Sequence, residues 1–232
     1  MNNDTDRLFK ILCTFGSFFR VIFMSEGGFN SLVYSKNVIE FITVANEYCS
    51  FLERAEEMES AVFLGSLQKL LPLLYLKASL IPKFEFEPED DLEKYVTEVE
   101  YNVIQQNVAT HTGPGDDYQE VFLPGMQFSE SALTSSIAEN ISDVYQDIKD
   151  LVMSFRTLNE DVMEQALWEC QQNFAGIWGQ KLVNCLRALH NLIYSEDHLD
   201  DESVQNKKQK RKGKSNDRTP DWLNDRFSYQ GE

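Results

Sequence analysis

Apolar residues recur at helical spacing along most of the chain, and the clearest run lies between residues 130 and 157. There the apolar positions alternate in steps of four and three, which is typical of a helix packed lengthwise on another helix. The pattern predicts a helix over about 130–157 with one buried seam, formed by Ile137, Ile141, Val144, Ile148, Leu151, Phe155 and Leu158.

Two helices are predicted earlier, over about 36–56 and 61–79. The first follows Ser35, a suitable N-cap. The second is apolar nearly all round, so we expect it to lie at the centre of the bundle. Pro72 inside this second segment predicts a kink.

The middle of the chain is predicted to contain one further helix between two connections. Residues 80–90 indicate an extended connector. Asp90 and Glu93 form a capping box, which predicts a helix over about 91–109. The segment 110–128 is rich in glycine and proline and predicts a long irregular loop.

A last long helix is predicted from its N-cap Asn159 to about Tyr194. The connection before it is very short, so this helix and the preceding one should be antiparallel neighbours. Gly176 and Gly179 lie inside it, and each costs about 1 kcal/mol of helix stability relative to alanine. Either a close helix crossing offsets this cost, or the helix breaks at Gly176.

The two ends of the chain differ from this bundle. The first 29 residues include an apolar stretch from Leu8 to Met24 that Lys10 and Arg20 interrupt, so it is too short and too charged to span a membrane. It also lacks the clean apolar core of a signal peptide. It is either an amphipathic extension, lying on the bundle or on a membrane surface, or an untranslated stretch before a start at Met24, which we favour.

These patterns predict a single all-α domain, a bundle of about five main helices over residues 30–195. Residues 196–218 are highly charged and poor in apolar residues, so we expect a disordered linker. Residues 219–232 regain apolar side chains after Thr219, Pro220 and Asp221, a strong helix start, and predict a short docking segment.

Charge and cysteine content restrict the classes of partner that the protein could bind and the cellular compartment that we expect for it. The net charge is −17, of which −16 lies in residues 1–195 and −1 in residues 196–232. Such an acidic body repels phosphate backbones, so we do not expect the bundle to bind duplex nucleic acid. The four cysteines form neither a CxxC pair nor a zinc spacing. We interpret them as reduced thiols of a soluble cytoplasmic protein.

Carboxylates form the most conspicuous polar patterns. Glu139, Asp143, Asp147 and Asp150 form a ladder on the helix predicted over 130–157. Such a ladder can bind a divalent metal, as in helical bundle enzymes. This face lies roughly 115° from the apolar seam, a direction that usually meets water, so a solvated face is the better interpretation.

A second acidic cluster follows the first predicted helix. Glu53 and Glu56 match the first half of the Glu-x-x-Glu and Glu-x-x-Asp pair with which all-helical nucleotide pyrophosphohydrolases hold magnesium. The second half of that motif would fall on Glu87 and Asp90, in a proline-containing connector rather than a helix, so the match fails there. A hydrolase using Mg or Mn, with ligands among Glu53, Glu56, Glu139, Asp143 and Asp147, is therefore the alternative.

The segment 110–128 is a further candidate site. His111 opens it and is followed by Asp116, Asp117 and Glu120. A loop of this length inside a compact domain is usually functional or disordered, and its aromatic residues favour a packed loop. A purely structural lid is the other interpretation, and it is the one we favour.

The C-terminal segment carries two candidate binding features. One is a basic run that could bind nucleic acid or an acidic partner, or simply be a solvated linker, and comprises Lys207, Lys208, Lys210, Arg211, Lys212 and Lys214. The other is an apolar group that should either fold back onto the bundle or dock on another protein, and comprises Trp222, Leu223, Phe227 and Tyr229.

Three stretches resemble an uncharacterised helical family of Bacteroidetes-type bacteria. They are Val33 to Leu52, Leu64 to Leu76 and the terminal Thr-Pro-Asp-Trp-Leu from Thr219. The resemblance covers about residues 30–230 and implies a bacterial cytosolic protein. Because the family is defined only as a domain of unknown function, it implies no catalytic residues.

The function that we expect is that of a non-enzymatic interaction or adaptor protein without a cofactor, which binds an unidentified protein through its C-terminal segment. The alternative is a metal-dependent hydrolase of a nucleotide-like acidic small molecule. An enzyme of that kind should bring three or more carboxylates together in one cleft. An adaptor should instead show an apolar groove and no such cluster.

Overall fold

A computed structural model describes residues 31–88, 91–120 and 133–195. These residues form an all-α bundle. Its helices are α1 (Lys36–Glu53), α2 (Ser60–Ser79), α3 (Glu98–Thr112), α4 (Ile137–Arg156), α5 (Glu160–Asn173) and α6 (Gly179–Tyr194), and one two-stranded sheet pairs β1 (Asp117–Gln119) with β2 (Thr134–Ser136). A π-helical turn, Phe174–Trp178, joins α5 to α6, so the bundle has five main helical rods as expected.

The centre of the bundle is α4, which packs against α1, α3, α5 and α6. The predicted seam is confirmed from Ile137 to Leu151, where all five seam side chains are buried, while Phe155 is half-buried. Leu158 was wrongly included. It follows the end of α4 with a positive φ of 57°, a left-handed conformation that turns its exposed side chain away from the seam.

The second helix is not central, which corrects the expectation from its composition. It packs against α1, α3 and α6 through one face only, formed by Phe63, Leu67, Leu71, Leu74 and Ala78. Its opposite face is exposed although it is also apolar. Composition could not reveal this because the same residues would suit a helix surrounded on all sides.

The third helix begins later than predicted. Residues 91–97 are extended, and the capping box that starts α3 is Thr97 with Glu100 rather than Asp90 with Glu93. Asp150 of α4 accepts hydrogen bonds from the backbone N–H groups of Tyr95 and Val96, at 2.8 and 3.2 Å. This tertiary contact binds the segment in an extended form that a helix start at residue 91 would not allow.

The first residues of the region predicted as a long loop, 110–120, form regular elements. Helix α3 continues to Thr112, and β1 then pairs antiparallel with β2, with Tyr118 opposite Ser135. Helix α4 therefore begins at Ile137 and not near residue 130. The Ser136 hydroxyl caps it by accepting from the Glu139 N–H at 3.0 Å.

The two glycines of the last rod accommodate a π turn, so neither a break nor a helix crossing is needed at this point. A Cβ on Gly179 would lie 2.4 Å from the Phe174 carbonyl oxygen, so this turn requires a glycine. The wide turn carries Trp178 into the core, where its indole N–H donates to the Cys170 carbonyl at 3.1 Å.

We expect Ile148→Ala to lower the free energy of unfolding by about 2–5 kcal/mol, because it removes a fully buried side chain from the α4 seam and leaves a cavity. Urea denaturation followed by far-ultraviolet circular dichroism measures the change. The control is Gln146→Ala, an exposed position on the same helix, which should stay within about 0.5 kcal/mol. Equal losses in the two variants would contradict the central position of α4.

Candidate functional site

The carboxylate ladder on α4 is not a solvated face, which corrects the interpretation from helix geometry. Asp143 accepts a hydrogen bond from the Tyr101 hydroxyl at 2.8 Å and forms an ion pair with Lys181. Asp147 accepts from the Asn173 side chain at 2.9 Å. The ladder therefore faces α3, the extended residues 91–97 and the last helical rod. Glu139, in the first turn of α4, is the exposed member.

Burial raises the pKa of the Asp147 carboxyl above its usual range, although the Asn173 hydrogen bond and Lys94 oppose this shift. Asp150 accepts from two backbone N–H groups and lies 4.0 Å from the Lys94 ammonium group. Each half-buried carboxylate of the ladder is thus held by its own partners. The arrangement connects α4 to its neighbours, as buried polar groups generally must.

A narrow cleft beside the ladder brings together Asp147, Asp150, Glu169 and Lys94. These three carboxylates therefore line one cleft, the number that we expected of the hydrolase alternative. The cleft leaves about 20 Å³ of internal space, room for about one water molecule. Pockets for small-molecule ligands usually occupy about 300–1,000 Å³. Within residues 31–88, 91–120 and 133–195, no group of three or more His, Cys, Asp or Glu side chains is placed to hold a metal ion.

The other two proposed metal ligands lie apart from this cleft. Glu53, at the end of α1, accepts from the Tyr145 hydroxyl at 3.0 Å and pairs with Lys149. Glu56 is exposed in the short 3-10 turn that precedes α2. The structure therefore does not bring Glu53 and Glu56 together with the ladder.

The four loop candidates are also dispersed. His111 lies in the last turn of α3, where its ring stacks on Phe63 with centroids 4.2 Å apart. Its Nε2 lies 2.9 Å from the Ala55 carbonyl oxygen, so Nε2 donates, and its Nδ1 lies 3.1 Å from the Ser60 hydroxyl. Both ring nitrogens thus join α3 to the start of α2.

Asp116 has a different role from its neighbour Asp117. Its carboxylate accepts from the Ala138 N–H at 3.0 Å and from the hydroxyls of Thr112 and Ser136. It therefore satisfies groups at the start of α4 and fixes the end of α3 against them. Asp117 is exposed on β1.

Glu120 is buried and belongs to a polar cluster beneath the small sheet. Its carboxylate accepts from the Asn184 side chain and from the Ser135 hydroxyl. Beside it, Asn140 donates to the Tyr118 hydroxyl at 2.7 Å. Sequence reasoning missed Tyr118, Asn140 and Asn184. The two asparagines lie among apolar residues on the buried faces of α4 and α6. A polar residue at such a position is the sequence feature that could have identified them as part of a buried polar cluster.

The exposed face of α2 is the most unusual surface feature of the described residues. At 100° per residue, four of the exposed apolar side chains of α2 and its C-cap lie within about 60° of one another, and they are Val62, Leu73, Leu76 and Leu80. The exposed Lys69 lies within the same arc, between Val62 and the three leucines. Gly65 lies on the same side, and a Cβ built there would meet no atom within 4 Å. We call this surface the outer face of α2.

The outer face has an acidic end. Glu56, Glu57 and Glu59 are exposed just before α2 begins. The last helix ends beside the middle of α2, where the Tyr194 hydroxyl lies 3.5 Å from the side-chain oxygen of Gln68. Of the described helices, α2 is also the one long and apolar enough to cross a membrane by length and composition, a test that core helices of soluble proteins pass as well.

A family model described as Domain of unknown function (DUF5063) matches residues 32–195, more than half of the chain. The chain belongs to this family. The domain is similar to a solved structure, protein BF1032 from Bacteroides fragilis, at 44% identity and a TM-score of 0.63. That similarity covers 71% of this chain and 97% of the other. The comparison with curated proteins gave no match.

These comparisons confirm the expected resemblance to an uncharacterised Bacteroidetes-type family for the helical domain. The DUF5063 match ends at residue 195. The basic run at 207–214 and the apolar group at Trp222, Leu223, Phe227 and Tyr229 lie outside the described residues, as does the extension over 1–29.

Asp116→Ala should lower the free energy of unfolding of the DUF5063 domain by about 2–3 kcal/mol, because three donors near the start of α4 lose a charged acceptor. The adjacent Asp117→Ala is the matched control and should cost less than about 0.5 kcal/mol. Chemical denaturation of both variants tests this. A loss that is as large for Asp117→Ala would show that the cap is not the cause.

Asp147→Asn should be at least as stable as the wild type at neutral pH and should lose its advantage in acid. The raised folded-state pKa means that the stability contributed by Asp147 is fully present below its unfolded value of 3.8 and is lost as the pH rises through the folded-state pKa. Asp147→Asn carries no charge at any of these pH values, so its stability does not fall in this way. Urea denaturation between about pH 4 and pH 7 measures the difference, with exposed Asp91→Asn as the control.

Proposed function

We propose that this DUF5063 protein is a non-enzymatic interaction module that binds an amphipathic helix of another protein on the outer face of α2. The observation that carries the proposal is the row of exposed apolar side chains along a helix whose other face is fully packed. The apolar part of this surface is the run of Leu73, Leu76 and Leu80, with the exposed Lys69 beside it. Exposed apolar surface bordered by charged groups is typical of interaction sites.

The shape of the outer face suits a helix as the partner. Leu73, Leu76 and Leu80 follow one another at about one helical turn and form a straight apolar row, and Val62 lies about 16 Å further along the same side, beyond the exposed Lys69. A helix with apolar residues at positions i, i+3 or i+4 and i+7 would pack along such a row. The open space at Gly65 would allow the two backbones to approach closely there.

Charge narrows the partner further. Glu56, Glu57 and Glu59 at one end of the face favour a partner with basic residues beside its apolar positions. The same glutamates, together with a net charge of −17, repel anionic lipid headgroups and duplex nucleic acid. A basic amphipathic helix of a protein is therefore the occupant that this chemistry favours.

A photo-crosslinking amino acid at position 76 should capture this partner in an extract of the native cells. The matched control places the same group at Val103 on α3, because the two wild-type side chains are almost equally exposed, at 51% for Leu76 and 49% for Val103. Position 76 should crosslink to one partner segment with helical apolar spacing, and position 103 should not.

A synthetic peptide of the crosslinked segment then provides the quantitative test. Leu73→Glu and Leu76→Glu should each weaken its binding at least about tenfold, or about 1.4 kcal/mol, by placing a charge in the apolar contact. Val103→Glu should leave the affinity unchanged. Crosslinks that form equally from both positions, or a peptide whose affinity is insensitive to Leu76→Glu, would overturn the proposal.

A further inference from the structure

Resting on that proposed function, we infer that the outer face of α2 is covered in the free protein by residues 219–229 of the same chain. The partner helix must displace this segment. The segment and the partner helix would then compete for the outer face of α2, because a ligand and an internal segment that share one surface exclude each other.

The position at which the chain leaves the bundle supports this pairing. Ser195 is the last described residue, and the preceding Tyr194 contacts Gln68 of α2. Between Ser195 and Thr219 lie 23 residues, which as a flexible tether span about 25 Å on average. Since α2 from Val62 to Leu80 is about 27 Å long at 1.5 Å per residue, Trp222 can reach the whole face.

Charge complementarity predicts which way the C-terminal residues would run along the outer face of α2. The basic run at 207–214 begins 12 residues after Ser195 and carries six positive charges within eight positions. The last rod runs from Phe174, which contacts Tyr75 of α2, to Tyr194, which contacts Gln68, so it ends toward the acidic end of α2 at Glu56, Glu57 and Glu59. Attraction between the two would place the following residues beside Val62 and leave 219–229 to extend toward Leu80.

The apolar pattern of the segment matches the surface that it would cover. In the helix that the sequence predicts from Thr219, the side chains of Trp222, Leu223, Phe227 and Tyr229 would fall within about 160° of the circumference. Tethering raises the effective concentration of such a segment to the millimolar range, so even a weak contact would be mostly occupied.

Two other occupants are less well matched. The N-terminal residues enter at the far end of α2, where Asn37 donates to the Leu80 carbonyl, and residues 1–30 carry three acidic and three basic side chains. They therefore offer no net positive charge to the acidic end. A second copy brings another −17 charges and repels the first.

Thiol labelling of the full-length protein tests this inference. The described cysteines Cys49, Cys170 and Cys185 are buried and free, and Cys13→Ser removes the remaining thiol. In that background, Leu76→Cys reports on the outer face and Val103→Cys on an equally exposed control position. A chain without an introduced cysteine gives the background rate of reaction with a small maleimide.

The cysteine at position 76 should react at least about tenfold more slowly than the one at position 103, the factor expected if the tail covers the face for nine-tenths of the time. Replacing Trp222, Leu223 and Phe227 by alanine in the same chain should bring the two rates together. Raising the salt concentration should also speed the reaction at position 76, because it screens the basic run from the glutamates.

Every other outcome overturns docking by the tail. Equal rates in the unmodified tail would show an open face. If the reaction at position 76 is slow and becomes fast only in a chain that starts at Met24, the N-terminal segment covers the face. If the rate at position 76 falls as the protein concentration rises, a second copy covers it. Partner crosslinking from position 76 in the triple-alanine tail variant is independent of these results, so the proposed function can stand where tail docking fails.

Discussion

Burial of α4 on nearly all sides is the constraint from which most of this structure follows. Its apolar seam requires partners in α1, α5 and α6, and its acidic face is covered by α3 and residues 91–97. Carboxylates in that position are too costly to leave unpaired. Tyr101, Lys181, Asn173 and the N–H groups of the extended segment therefore converge on them, and these contacts set where the neighbouring elements lie.

The same constraint explains why the polar groups inside the bundle are structural. Asp116 supports the start of α4, Glu120 is held by Asn184 and Ser135, and His111 joins α3 to the start of α2. Each of these groups has hydrogen-bond partners of its own within the bundle. Leu73, Leu76 and Leu80 on the outer face of α2 are among the exposed apolar side chains of the described residues, and the proposed function rests on them.

Several features were predictable because they depend on local sequence. The number of helical rods, the seam of α4 from Ile137 to Leu151 and the cap at Asn159 follow from residue spacing and side-chain chemistry near each element. The start of α4 was expected near residue 130 and is fixed instead by β2 and Ser136. The start of α3 did not follow, because two adjacent capping boxes compete and the contact of Asp150 with Tyr95 and Val96 selects the later one. The π turn likewise depends on the packing of Trp178.

By itself, the sequence determined that the chain forms helices and which side of α4 is apolar, since both are periodic properties of neighbouring residues. Only the tertiary structure decided that the acidic side of α4 is covered and that one apolar side of α2 is not. An angle around a helix identifies residues that share a face, but it carries no information about which neighbouring element packs there. Contacts between residues distant in sequence supply that information, and they reversed the expected roles of Asp143, Asp147 and the outer face of α2.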